Sequence, residues 1–324
     1  VLGPPQDPAL FDQVLPKSWP LSCINRNVGH DPVEPGFADV SGRPQWAIPL
    51  LEDDPAMIIP QLWVGRMRKV AADALRYGCD GLLGIHWRTR ILAPNVAALA
   101  QAAWSQQPWK TTLLDTDPPA LTGSFDDRRE NYPSWRLADS LDFYSDWAAA
   151  EFGERAARGI APLFAQLDCK LPRPSTWVDG PGGILPDARP WAIVRKEYEF
   201  VDDFGRLRPL ITGAGNRERF DYWLNNFRYL RATAKLNCTW AELNHALQQL
   251  EASEASGRRR IVEREALPLR KRLIRELTNV QRYLLDTVTT KGAMGNVTNW
   301  QQHIFPSLLG PSEEAITQVT GEPL

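Results

Sequence analysis

The chain has 324 residues, with 37 lysines and arginines against 39 aspartates and glutamates, a formal net charge of −2. That balance gives no reason to expect a nucleic acid or an anionic membrane surface as partner. No apolar run approaches the roughly 18 residues that span a bilayer, and 43% hydrophobic with 23% charged residues is the make-up of an ordinary globular chain. Its 27 prolines fit a loop-rich protein. Its 13 tryptophans suit either a core or the flat faces that carbohydrate sites offer to sugar rings. Cys23, Cys79, Cys169 and Cys238 stand singly, so neither a metal nor a cofactor is expected and buried thiols are. Residue 1 is Val and the first methionine is Met57, so a segment upstream is expected.

Residues 8–15 read as the end of a helix closed by Pro16 and Pro20. Leu21–Ile24 reads as a short buried strand running into the polar loop Asn25–Pro32. Trp46–Leu51 is a second strand, ending in Glu52-Asp53-Asp54-Pro55. A helix of about 15 residues follows, with Trp63, Met67, Val70, Ala71 and Ala74 on one face and Arg66, Arg68 and Lys69 off it. Gly78 stops it, Asp80-Gly81 turns, and Leu82–His86 is a third strand. Pro94-Asn95 opens another helix through Trp104.

Alternating strands and helices, with strands apolar throughout, predict an α/β fold around a parallel sheet. No glycine-rich phosphate loop follows any strand, and polar residues gather at every strand's carboxyl end. Both favour the C-terminal part of a TIM (β/α) barrel over a doubly wound sheet. A full barrel needs about 200–250 residues, so residues 1–112 are expected to be a partial, catalytic barrel. The missing half would lie upstream or on a partner chain. Residues 113–137 read as linker and 138–324 as a mostly α-helical domain. In that domain, Phe220, Trp223 and Phe227 form an aromatic stripe suited to helix packing. Thr239 with Glu242 reads as a capping box opening a new helix. A long helix is expected over about 261–287, with a short last element over 300–309.

Three clusters carry candidate chemistry. Successive carboxylates in Glu52-Asp53-Asp54 repel, which favours a protonated acid of the kind glycoside cleavage uses. Asp53 or Asp54 before Pro55 also suits a helix cap. His86-Trp87-Arg88-Thr89-Arg90 combines a proton carrier, an aromatic face and guanidinium forks, and it equally suits an ion pair between Arg88 and the Glu52 loop. Asn25-Arg26-Asn27 with His30 suits sugar hydroxyls, or a turn. The basic runs Arg258–Arg260 and Arg270–Arg272 read as solvated helix faces.

The layout resembles that of glycoside hydrolases in which a barrel precedes a helical domain, the α-glucuronidase-like and β-hexosaminidase-like families. Trp46–Pro55, Gly81–Arg90 with Pro94–Trp104, and Asp142–Asp168 carry the resemblance. It implies an exo-acting glycoside hydrolase on a glycan or oligosaccharide end, in a periplasmic or secreted setting. Glu52 and Asp53 would be catalytic, and Asn25, Arg26, His30, Trp63, His86, Trp87, Arg88 and Arg90 would bind substrate. The Glu-Asp order reverses the Asp-Glu pair of hexosaminidase-like enzymes. The alternative is a non-catalytic carbohydrate-binding or scaffold protein of the same architecture.

Overall fold

A computed structural model describes residues 8–25, 33–52, 59–105, 139–176 and 183–322. Of these, 69% are helical and 5% lie in strands. They form two compact units: Val1–Asp53 with Gln61–Ala150 and Glu154–Leu171, and Asp54–Pro60 with Glu151–Gly153 and Pro172–Leu324. The expected linker over 113–137 lies outside the described residues.

In the first unit, β1 (Leu21–Ile24), β2 (Gln45–Ile48) and β3 (Gly81–Leu82) pair in parallel in that order. Side chains alternate across a strand, so Leu21, Cys23 and Ala47 share one face. They pack with Val70 and Ala74 of the Val64–Arg76 helix and with Val33, Phe37 and Val40 around the short turn of helix Pro35–Asp39. The parallel pairing resumes beyond β2 as a bridge between Leu50 and Ile85.

The expected TIM barrel is not there. Among the described residues the parallel sheet stops at three strands. A barrel fills its interior with layers of side chains, whereas Trp46, on the face opposite Ala47, is 44% exposed. The local elements behind the expectation are real, including both helices, Val64–Arg76 and Ala93–Trp104. Strand and helix periodicity reports each element but says nothing about closure, and the protein belongs to the mostly helical class.

In the Val64–Arg76 helix, Arg66, Arg68 and Lys69, off the apolar face by sequence, are buried as well. Arg68 meets both Asp142 oxygens at 2.7 and 3.0 Å and the Asp139 carbonyl at 2.6 Å. Lys69 meets Asp73 at 2.5 Å, one helical turn on, and the Arg66 guanidinium lies 4.0 Å from the Trp63 ring centre. The amino end of this helix is capped from far along the chain. Asp168 accepts the amides of Val64 and Gly65, both at 2.8 Å, and the Tyr144 hydroxyl at 2.9 Å. Those amides have no partner inside the helix, which is why a carboxylate there stabilises it. Burial pushes the Asp168 carboxyl above the usual range, and the hydrogen bonds from Gly65, Val64, Tyr144 and Ser140 oppose that push.

The second unit is a helical assembly with one antiparallel pair, β4 (Ser175–Thr176) and β5 (Gly183–Ile184). Its axis is the 39-residue helix Ala214–Ala252. Thr239 is buried in mid-helix, so the expected new start there is absent; the capping-box spacing is overridden by an apolar stripe that continues through it. That stripe carries the aromatic core: Phe204 stacks on Phe220 at 4.2 Å, and Phe152, Phe200, Trp223 and Phe227 meet them or one another edge-on or tilted. Two π-helical turns, Val262–Ala266 and Trp300–Ile304, precede Pro268 and Pro306. Proline cannot donate to the residue four back and clashes with its carbonyl, and a widened turn accommodates this without ending the helix. The last helix accordingly runs through Phe305–Thr320, well beyond the expected 309.

Candidate functional site

The candidate residues gather where the parallel strands end. β1 leads into Asn25, which is buried, with its amide donating to the Ile48 carbonyl at 3.2 Å. Beyond β2, the amide of Leu51 donates to the Ile85 carbonyl at 2.8 Å, which draws the two strand ends together. Glu52 follows directly and is fully buried.

Glu52 forms the centre of this end. One carboxylate oxygen accepts the backbone amides of Trp87 and Arg88 at 2.6 and 2.8 Å, and the other accepts Nε of Arg88 at 2.7 Å. The carboxylate thus grips the loop after β3 by two backbone points and one side chain, the strongest class of hydrogen bond. A general acid needs an oxygen that reaches the leaving group. Both Glu52 oxygens are engaged beneath the 86–88 loop, which makes it a positioning residue.

The grip decides what the loop presents. Trp87 stands 60% exposed, although its own amide is pinned. His86 is also exposed, and its Nδ1 donates to the Arg88 carbonyl at 2.9 Å. With the proton on Nδ1, the neutral ring leaves Nε2 as an acceptor. Arg88 turns its Nε toward Glu52, and its side chain is only 10% exposed. Arg90, half-buried, opens the short turn Arg90–Leu92 that leads into the Ala93–Trp104 helix.

Trp63 stands apart from this group. It is buried at the amino end of the Val64–Arg76 helix, under Arg66, and has no face free for a sugar. Asp53, Arg26 and His30 lie outside the described residues, as does Asp54. Asn95 was read from sequence only as a helix opener, yet it ties the site's floor together. Its Oδ1 accepts the Trp63 amide at 2.8 Å, and its Nδ2 donates to the carbonyls of Leu51 and Gln61 at 3.0 and 3.2 Å. A fully buried asparagine in a helix's first turn can serve in this way because its amide both donates and accepts. Its place beside Pro94 was the only signal of it in the sequence.

Two half-buried thiols and two buried ones complete the inventory, none of them in a disulfide. Burial pushes Cys79 up to about 12 and Cys238 up to about 11, which removes thiolate chemistry near neutral pH. Among the described residues no group of three His, Cys, Asp or Glu side chains is placed to hold a metal ion, and no helix is long and apolar enough to cross a membrane. No protein-family model matches the chain, and no curated protein is similar to it.

Proposed function

We propose that this chain acts on glycans, as a glycoside hydrolase whose sugar-facing surface is the carboxyl end of the parallel sheet. One observation carries the reading: an exposed indole, Trp87, mounted on a loop that the buried Glu52–Arg88 pair holds in place. An exposed aromatic on a rigid mount supplies an apolar face at little cost in side-chain entropy, which is what a pyranose ring requires. His86 Nε2 beside it accepts a hydroxyl. Glu52 sets the loop, and the bond-cleaving acid in this reading is Asp53, its neighbour in sequence.

The engagement of both Glu52 oxygens favours a second reading, a glycan-binding protein without turnover, because it removes one of the two expected catalytic carboxylates. Aryl glycoside hydrolysis by the intact chain separates them. The hydrolase reading expects Asp53→Asn to abolish turnover while oligosaccharide binding persists. Binding by the wild type with no turnover on any aryl glycoside tested would leave the second reading standing, and absence of both would remove both.

A further inference from the structure

A second site lies wholly within the helical unit. The helices Ala214–Ala252 and Leu267–Leu285 run side by side, tied by the ion pairs Lys235–Glu276 at 3.3 Å and Arg272–Glu242. The higher number on one helix meets the lower on the other, so they are antiparallel. Arg228, Arg231 and Lys235 fall at positions i, i+3 and i+7, one face of the first helix. Asn279, Arg282 and Tyr283 come from the second, opposite them. With Trp191 they line a cleft of about 310 Å³, at the lower end of the roughly 300–1,000 Å³ common for small-molecule sites.

The charges do not balance. Arg228, Arg231, Lys235 and Arg282 supply four positive charges. Glu276, buried in the wall, answers Lys235, and Asp202 at the rim answers Arg231 at 2.9 Å. Two positive charges remain. Arg228 reaches only the Asn225 side chain, at 3.4 Å, and Arg282 lies over the Tyr283 ring at 4.9 Å. Among the described residues neither meets a carboxylate. Like charges crowded into a concave surface raise the local potential and draw in an anion.

We infer that this cleft binds a phosphate monoester, its dianion held between Arg228 and Arg282 and its organic part against Trp191 and Tyr283. The surplus of two charges matches a phosphate monoester, which carries about −1.5 to −2 near neutral pH. Guanidinium forks suit its oxygens. The cleft's volume and its two aromatic side chains fit an organic ester better than the free anion. The site shares no residue with the sheet-end surface and stands or falls apart from it.

Calorimetric titration of the full chain with glucose 6-phosphate, glucose and inorganic phosphate tests this. The ester is expected to bind, glucose to show no binding that Arg228→Gln or Arg282→Gln alters, and inorganic phosphate to bind at least about tenfold more weakly. Arg228→Gln and Arg282→Gln should each weaken the ester about tenfold, the effect of losing one charge-assisted contact. Arg208→Gln, whose partner is Asp221, should change nothing, and added salt should weaken binding. No binding of the ester would overturn the inference, as would unchanged affinity in the two cleft variants. Equal affinity for ester and inorganic phosphate would overturn the assignment of an organic ligand.

Discussion

Both units bury aromatic rings, but they differ in where they keep their charges. The first carries more of its charges inside: Arg43 with Asp12 at 2.7 Å, Glu52 with Arg88, Lys69 with Asp73, Asp168 capping a distant helix, and a fully buried Arg68 that reaches the exposed Asp142. The second carries rings inside and leaves most of its ion pairs on the surface, such as Arg189–Asp187, Arg206–Asp203 and Arg208–Asp221. The difference lies in where specificity comes from. Ring packing tolerates substitution in proportion to volume, whereas a buried charge tolerates almost no change in its partner.

The comparison can be broken at its strongest points first. Phe204→Ala should cost about 3–5 kcal/mol, because it empties the centre of the aromatic cluster. Asp142→Ala should cost about 1–3 kcal/mol, since it removes a carboxylate from the fully buried Arg68 guanidinium, which keeps the Asp139 carbonyl. Denaturant titration measures both. The double variant Arg68→Met with Asp142→Leu should recover most of the second loss and has no counterpart for the first. If the double variant were as unstable as the single one, buried charge would not be what distinguishes the first unit.

Acid sharpens the same contrast. For Asp142, burial pushes the carboxyl up, but the hydrogen bond and charge of Arg68 outweigh it and hold it below the usual 3.8. Asp12 is likewise held low, chiefly by its hydrogen bond to Lys17. A depressed carboxylate contributes stability that is present above its unfolded value and lost as pH falls through the folded one. Asp168, pushed up by burial, has the opposite sign, its contribution declining as pH rises. Stability followed from pH 7 down through about 3 should therefore fall as Asp142 and Asp12 protonate, and Asp142→Asn should flatten the lower part of that curve. A variant curve with an unchanged slope would contradict the assignment.

The smallest effect concerns backbone strain. Cys169 adopts φ 56°, a left-handed conformation that side chains disfavour, just past the Glu154–Leu167 helix. It is held there because Asp168 must reach the Val64 and Gly65 amides while the Cys169 amide donates to the Leu62 carbonyl at 2.7 Å. Cys169→Gly should raise stability by about 0.5–1 kcal/mol in thermal unfolding. A loss of that size would mean that the thiol's packing outweighs the strain.

The contrast also accounts for what the sequence discloses. Apolar runs placed β1 at Leu21–Ile24 and located the helices Val64–Arg76 and Ala93–Trp104, because burial of apolar faces is periodic. The stripe of Phe220, Trp223 and Phe227 was legible as core for the same reason. Barrel closure was not legible, since it depends on contacts among strands and not on any one strand's pattern. Nor was the burial of Arg66, Arg68 and Lys69; the partners of Arg68, Asp139 and Asp142, lie some 70 residues away in sequence and carry no local mark. At the site, the pairing of Arg88 with Glu52 was visible as one of two readings of the same charges. What separated them was the pair of backbone amides on Glu52, which sequence cannot show.

The central claim is that Glu52 acts through the loop that carries Trp87. Titrating one oligosaccharide that the wild type binds into Trp87→Ala and Glu52→Gln, with hydrogen exchange followed over residues 81–92, tests it most directly. Trp87→Ala should lose at least tenfold in affinity with exchange in that segment unchanged, whereas Glu52→Gln should lose affinity together with faster exchange there. Wild-type affinity in Trp87→Ala would contradict the account, and so would weakened binding in Glu52→Gln with the segment's exchange unaltered.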